Sequence, residues 1–105
     1  MANSSFEFIL RILKTARKEC VVHTNERRRL RDEIRKGDQT EETWDKYEQA
    51  VSKQIKTTNE VFLAIDSLRN LQPDVRIEFK QDRVNECPRE MYITDQDTGK
   101  TYYIA

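Results

Sequence analysis

The stretch IRKGDQTEE, residues 34–42, ends one predicted helix and begins another. Arg35 and Lys36 place cations in a last helical turn, and Gly37 is the residue type that most often terminates a helix. Thr40 is a favoured N-cap residue, and the two glutamates that follow it suit the positive end of a second helix. The stretch therefore predicts two helices joined by a short turn.

Apolar residues on both sides of this turn recur at alternating steps of three and four, which is the pattern of a coiled-coil seam. We predict helix 1 over residues 4–36 and helix 2 over residues 40–71, and the second helix ends before Pro73. The predicted seam of helix 1 comprises Phe6, Ile9, Leu13, Ala16, Cys20, His23, Arg27, Leu30 and Ile34, and that of helix 2 comprises Trp44, Tyr47, Val51, Gln54, Thr58, Val61, Ile65 and Leu68.

The two seams fit each other when the chain folds back at Gly37. In an antiparallel hairpin, facing residues have a constant sum of residue numbers. This rule brings Ala16 to Val61 and Ile34 to Trp44, so apolar residues meet along most of the length. Because each seam follows from its own helix, their agreement supports a long antiparallel helical hairpin.

The C-terminal part of the chain has the pattern of a small sheet. Residues 75–80 alternate apolar and polar side chains, and residues 91–94 and 101–104 are two further predicted strands, with a turn at Gly99. Residues 82–90 are predicted to form a loop that contains Pro88. The predicted fold class is α+β: a long antiparallel two-helix coiled-coil hairpin followed by a small three-stranded antiparallel sheet, in a single domain of residues 1–105.

The last two predicted strands are apolar on both faces. Pairing Gln96 with Lys100 puts Tyr92 opposite Ile104. One face can then pack on the helices, while the other would present aromatic and aliphatic side chains to a partner, as protein interfaces often do. The predicted protein-binding residues are Tyr92, Tyr102 and Ile104, together with Arg28, Arg31 and Arg35 on helix 1.

Helix 1 is basic. Residues 1–36 carry ten Lys/Arg against five Asp/Glu, although the whole chain has no net charge. Pairs one turn apart, such as Arg28 with Asp32 and Arg29 with Glu33, are expected to neutralise much of this charge. A nucleic-acid footprint is usually a net-basic domain, so a nucleic-acid-binding regulator is an alternative that is not favoured. It would use Arg11, Lys14, Arg17, Arg28, Arg31 and Arg35.

The middle of the paired seams is polar. Buried polar groups need hydrogen-bond partners, so this layer either fixes the register of the helices or faces a pocket, a partner or solvent. A small anionic ligand is a second alternative function, because Arg27 is a cation with many donors. The candidate ligand-binding residues are His23, Arg27, Gln54 and Thr58.

Few residues suit catalysis or metal binding. Cys20 and His23 lie one helical turn apart, but the chain contains no other histidine, and two ligands are too few for structural zinc. The sequence TGKT at residues 98–101 lacks the upstream glycine of a P-loop, and DQDTG at residues 95–99 has its glycine one position too early for a calcium loop. We predict no enzyme activity, no cofactor and no metal.

The sequence also gives expectations for the cellular location and the oligomeric state of the protein. We find no signal-peptide pattern and no run long enough to span a membrane. Two long helices need more cover than a small sheet supplies, so we expect a homo-oligomer, with a dimer favoured. The predicted function is a cytoplasmic, non-enzymatic protein-binding module, an inhibitor or adaptor of the kind that phages and mobile elements carry.

Overall fold

The computed structural model describes residues 4–81 and 86–105 and confirms the predicted α+β fold. Helix α1 spans Ser4–Arg35 and helix α2 spans Glu41–Leu71. Strands β1 (Arg76–Lys80), β2 (Glu90–Thr94) and β3 (Thr101–Ile104) follow in chain order. The predicted loop at residues 82–90 falls partly outside the described residues, and its last residue begins β2.

The turn between the helices is formed by the residues from which it was predicted. Gly37 adopts a φ of +112°, a conformation that favours glycine, two residues after the end of α1. The hydroxyl of Thr40 accepts a hydrogen bond from the backbone N–H of Thr43, which is an N-cap contact. The carboxylate of Asp38 accepts hydrogen bonds from the hydroxyls of Thr40 and Thr43, both at 3.1 Å. These contacts fix the reversal of the chain.

The seam of α2 differs from the prediction at the turn end of the hairpin. Thr43 and Ala50 are buried there, whereas Trp44 is 41% exposed and packs edge to face on Tyr47. Thr43 donates a hydrogen bond to Asp38, so its side of α2 faces the turn between the helices. Trp44 was predicted to be a seam residue opposite Ile34, and its exposure shows that it is not buried in the seam.

The sheet lies against one face of the hairpin, at the end away from the turn. Its order is β1-β2-β3, with both pairs antiparallel. Met91, Ile93 and Ile104 contribute to the core from the sheet side. The core residues that the helices contribute are Phe6, Leu10, Leu13, Ala16, Cys20, Val61, Ala64, Ile65 and Leu68.

The sheet covers only part of a molecule that is 56 Å long. Among the described residues, no member of the core cluster shared with the sheet lies between positions 24 and 57. We call residues 5–23 and 58–72, with the sheet, the covered half, and residues 24–57 the tip half. The tip half has its own small core, in which Leu30, Ile34 and Ala50 are buried.

The register of the last hairpin differs from the prediction by one residue. Tyr92 pairs with Tyr103, and Met91 pairs with Ile104. Because side chains alternate along a strand, a one-residue shift moves every side chain of β3 to the other face. Ile104 is therefore in the core at 2% exposure, and Tyr103 occupies the outer face in its place.

The turn of this hairpin explains the shift. Asp95 and Lys100 close a four-residue turn through a backbone hydrogen bond of 2.9 Å, and Gly99 adopts a φ of +73° within it. The carboxylate of Asp95 accepts a hydrogen bond from Nε2 of Gln72 at 2.8 Å, and Oε1 of Gln72 accepts one from the backbone N–H of Gln96. The end of α2 thus holds the longer turn in place.

Candidate protein-binding surfaces

An apolar groove lies between α1 and α2 on the face of the hairpin away from the sheet. Its volume is about 580 Å³, and only helix residues line it. Phe8 and Leu63 stand at its sides with 63% and 64% of their surface exposed, and Ile12 is exposed beside them. Ala16 and Ala64 also line it, and their small side chains leave room between the larger ones. Exposed apolar patches of this kind mark interaction sites in soluble proteins.

The groove carries opposite charges on α1. Arg11 precedes Thr15 by four residues, and Glu19 follows it by four, and all three residues line the groove. A second α1 that runs antiparallel and is centred on Thr15 would bring each Arg11 within reach of the other Glu19. The same register would set Phe8 against Val22, which is also exposed. In that arrangement opposite charges would face each other, which is the self-complementarity that a two-fold interface requires.

The outer face of the sheet presents a pair of tyrosines. Tyr92 and Tyr103 are exposed, and their ring centroids are 5.0 Å apart. Of the other predicted members of this surface, Ile104 is in the core, and Tyr102 is half-buried, with its ring centroid 6.3 Å from that of Phe6. Sequence reasoning missed Tyr103 because it placed β3 in the wrong register.

Two arginines of α1 bind Glu86, which lies in the segment before β2. Arg28 donates hydrogen bonds to both carboxylate oxygens of Glu86 at 3.1 Å, and Arg27 lies 3.4 Å from one of them. Glu86 is buried, so this pairing links the start of the tip half to the sheet region. Arg28 was predicted to pair with Asp32, and the structure instead directs it to a partner 58 residues away.

A third arginine is buried beneath the same segment. Arg17 is 8% exposed, and its Nε donates a hydrogen bond of 3.1 Å to the carbonyl oxygen of Pro88. Its Nη2 donates a second one to the carbonyl oxygen of Arg89. Arg17 was predicted to belong to an accessible basic band, so its placement corrects that prediction.

The remaining basic residues of α1 are divided between solvent and local pairs. Arg29 contacts Glu26 at 2.6 Å and Glu33 at 2.7 Å, and the second of these pairs was predicted. Arg31 lies 3.6 Å from Asp32. Of the predicted nucleic-acid-binding residues, Arg11, Lys14 and Arg35 are exposed on the surface of the helix.

The predicted ligand layer is only partly buried. Gln54 and Thr58 are buried, while His23 and Arg27 are half-buried. Arg27 is directed to Glu86, so a carboxylate of the protein already occupies the position that an anionic ligand would take. The layer therefore has the character of a structural contact more than of an open pocket.

The same region holds polar atoms without partners. Within the described part of the chain, Oγ1 of Thr24 and Oε1 of Gln54 are buried and have no hydrogen-bond partner. Oγ1 of Thr58 lies 3.2 Å from Sγ of Cys20. Thr24 was not among the predicted layer residues, although it lies one turn from Cys20 on α1. Unpaired buried polar atoms make this the least well satisfied part of the hairpin.

The two cysteines of the chain meet in the covered half. The neighbouring thiol of Cys87, helped by the hydroxyls of Thr58 and Thr57, lowers the pKa of Cys20 to about 6 against the opposing effect of burial. The neighbouring Cys20 and burial together raise the pKa of Cys87. Sequence reasoning missed this pair because 67 positions separate its members and no local pattern connects them.

The described residues contain no group of three or more His, Cys, Asp or Glu side chains that could hold a metal ion. Within the same residues, neither long helix is apolar enough over a sufficient length to cross a membrane. No protein family, curated protein or solved structure matches this chain.

Proposed function

We propose that this chain is a non-enzymatic protein-binding module that works as a homodimer, in the manner of an inhibitor or adaptor. The observation that carries the proposal is the uncovered groove between α1 and α2, where apolar side chains stand beside opposite charges in a self-complementary order. The two free thiols suit a reducing, cytoplasmic setting.

A second copy is the occupant that best fits the groove. Two hairpins packed through these faces would form a four-helix bundle with one sheet on each outer side. Phe8, Ile12 and Leu63 would enter the new core. The small side chains of Ala16 and Ala64 would let the helices of the two copies approach each other. The charges of Arg11 and Glu19 would then select an antiparallel arrangement of the two α1 helices.

The outer face of each sheet remains open in this dimer and is the proposed surface for a partner protein. Tyr92 and Tyr103 lie next to each other there, and tyrosine combines a large apolar ring with a polar hydroxyl. A two-fold dimer would present two such surfaces. A partner with matching symmetry would bind both at once and gain avidity.

The alternative functions fit the contacts less well. A nucleic-acid-binding regulator would need free arginines along α1, but Arg17 and Arg28 are engaged by the segment before β2. A binder of small anions would need Arg27, which faces Glu86. Binding of DNA or RNA that weakens steeply with salt would nevertheless favour the regulator over the protein-binding module.

The dimer is tested by its mass in solution. We expect light scattering to give twice the mass of the chain at micromolar concentration, and Leu63→Glu to give the single-chain mass. Ile55→Glu is the matched control, because Ile55 is 57% exposed but does not line the groove. Unfolding of both variants should stay cooperative. A single-chain mass for the unmodified protein at this concentration would refute the dimer.

The antiparallel register has its own test. Arg11→Glu and Glu19→Arg should each weaken the dimer by placing like charges together, and the double variant should restore it. If the double variant dimerises more weakly than either single variant, the two residues do not face each other across the interface. The dissociation constant measured by sedimentation at low salt is the appropriate quantity, because salt screens exposed charges.

A further inference from the structure

We infer that Cys20 and Cys87 form a reversible dithiol–disulfide site, which a peroxide oxidises and a thiol reductant restores. The chain has two cysteines, and the fold brings both to one place. Cys20 is fully buried on α1, and Cys87 is partly exposed and packs against the core that contains Cys20. The two thiols also shift each other's pKa in opposite directions, as neighbouring thiols do.

The structure holds Cys87 against α1 from both sides. The preceding residue, Glu86, is bound by Arg28, and the carbonyl oxygen of the following residue, Pro88, is bound by Arg17. Sγ of Cys87 lies 3.9 Å from the carbonyl oxygen of Arg17, one helical turn before Cys20. A disulfide has a specific geometry, so it forms without strain only where two cysteines are held near each other. The arginine contacts supply that proximity.

A small oxidant can reach the pair. Cys87 lines a cavity of about 200 Å³ on the surface, together with Val21, Thr24 and the segment that follows Cys87. A water molecule occupies about 30 Å³ in the liquid, so the cavity can admit hydrogen peroxide. Cys20 does not line this cavity, so oxidation would begin at the side where Cys87 lies.

The oxidation proceeds in two steps with hydrogen peroxide as the oxidant. A thiolate of the pair attacks one oxygen of the peroxide, the O–O bond breaks, and the products are a sulfenic acid and hydroxide. The sulfur of the other cysteine then attacks the sulfenic sulfur, the S–S bond forms, and water leaves with the thiol proton. The two sulfurs together lose two electrons, which reduce one peroxide to water and hydroxide.

The disulfide would join two parts of the chain that are otherwise held by reversible contacts. It would link the middle of α1 to the segment that enters β2, and so tie the sheet to the hairpin. The closed loop would contain most of the molecule, and a long loop is where a cross-link restrains the unfolded chain most. Oxidation would therefore hold the outer face of the sheet in its folded arrangement. This inference does not depend on the proposed dimer.

The test uses the full chain, first reduced and freed of reductant. After treatment with hydrogen peroxide, the protein is denatured, alkylated and weighed without reduction. We expect a mass lower by two hydrogen atoms, no alkylation of either cysteine, and one peptide pair joined through Cys20 and Cys87 after digestion. Dithiothreitol should restore two alkylatable thiols. Two alkylatable thiols after oxidation, or joined peptides that derive only from two different chains, would overturn the inference.

A variant with one cysteine distinguishes a disulfide-forming pair from a single reactive thiol. Cys20→Ser keeps the size of the buried side chain, and Thr58 lies within hydrogen-bond distance of it, so the fold should tolerate it. This variant should stop at a sulfenic acid on the partly exposed Cys87, which a dimedone probe labels, while the unmodified protein should show only transient labelling. Equal, lasting labelling in both proteins would mean that Cys20 does not resolve the sulfenic acid, and would overturn the inference. Oxidation should also raise the urea midpoint of the unmodified protein and not that of the variant.

Discussion

The covered half and the tip half belong to the same two helices but are built from different side chains. In the covered half, large residues such as Phe6, Leu13 and Ile65 are fully buried between the helices and the sheet. In the tip half, Thr24, Thr43 and Ala50 take many of the buried positions, and the core shared with the sheet does not extend there. The tip half therefore buries less apolar surface per residue.

This difference shows that a regular heptad pattern does not imply uniform stability. The pattern makes both halves helical and places them in one hairpin. The sheet then adds a third layer to one half alone, and apolar burial is the main source of folding stability. We expect the tip half to open first and the covered half to resist until global unfolding.

The largest expected effect compares one residue type in the two halves. Leu13 and Leu30 lie on the same helix and are 0% and 2% exposed. We expect Leu13→Ala to cost about 4 kcal/mol and Leu30→Ala about 3 kcal/mol, because a cavity at the two-layer tip can collapse more easily. Urea unfolding of each variant measures the difference. A larger loss for Leu30→Ala would reverse the comparison.

The second effect concerns the contact where the two halves meet. Glu86→Gln removes the charge that Arg27 and Arg28 share, and we expect a loss of about 2 kcal/mol, since Glu86 is buried. The matched control is Glu33→Gln, which removes an exposed partner of Arg29 and should cost less than about 0.5 kcal/mol. Thermal or urea unfolding gives both values. Equal losses would mean that Glu86 contributes no more than a surface ion pair.

The smallest effect compares two turns as the pH falls. Gln72 and the backbone N–H of Asp97 donate hydrogen bonds to Asp95 and hold the pKa of this carboxyl below its ordinary value. A carboxyl with a lowered pKa in the folded state stabilises the fold above its ordinary pKa of about 4, and this contribution is lost as the pH falls through the folded pKa. We expect Asp95→Asn to remove a stabilisation of about 1 kcal/mol at neutral pH.

The matching turn in the tip half serves as the control. The hydroxyls of Thr43 and Thr40 lower the pKa of Asp38 in the same direction, but this side chain is exposed to solvent. Asp38→Asn should therefore change the acid dependence of stability less than Asp95→Asn does. The urea midpoint, followed between about pH 6 and about pH 2.5, measures both. A greater change for Asp38→Asn would show that the covered turn is not the more important one.

Local features of the sequence predicted most of the fold. Gly37 and Thr40 marked the turn because their roles depend only on neighbouring residues. The spacing of apolar residues predicted both helices, alternation predicted β1, and the turn at Gly99 marked the hairpin of β2 and β3. These signals have short ranges, so they can be read without knowing the tertiary structure.

The candidate site depended on contacts that local patterns do not contain. The outer position of Tyr103 depends on a turn that Gln72 stabilises from α2, and a one-residue error in that turn exchanged the two faces of β3. Arg17 was predicted to be a surface cation, but it donates hydrogen bonds to the carbonyl groups of Pro88 and Arg89. For the groove, the sequence predicted only that the two helices need more cover than the small sheet supplies.

The placement of Ile104 in the core has a consequence for synthesis of the chain. The hairpin is complete once Leu71 has been made, but β3 supplies its last buried side chain 33 residues later. At about 5–20 residues per second, that interval is roughly two to seven seconds. During this time the apolar face of the hairpin beneath the future sheet has no cover. Until β3 has been made, the nascent hairpin is thus open to chaperones and to wrong partners.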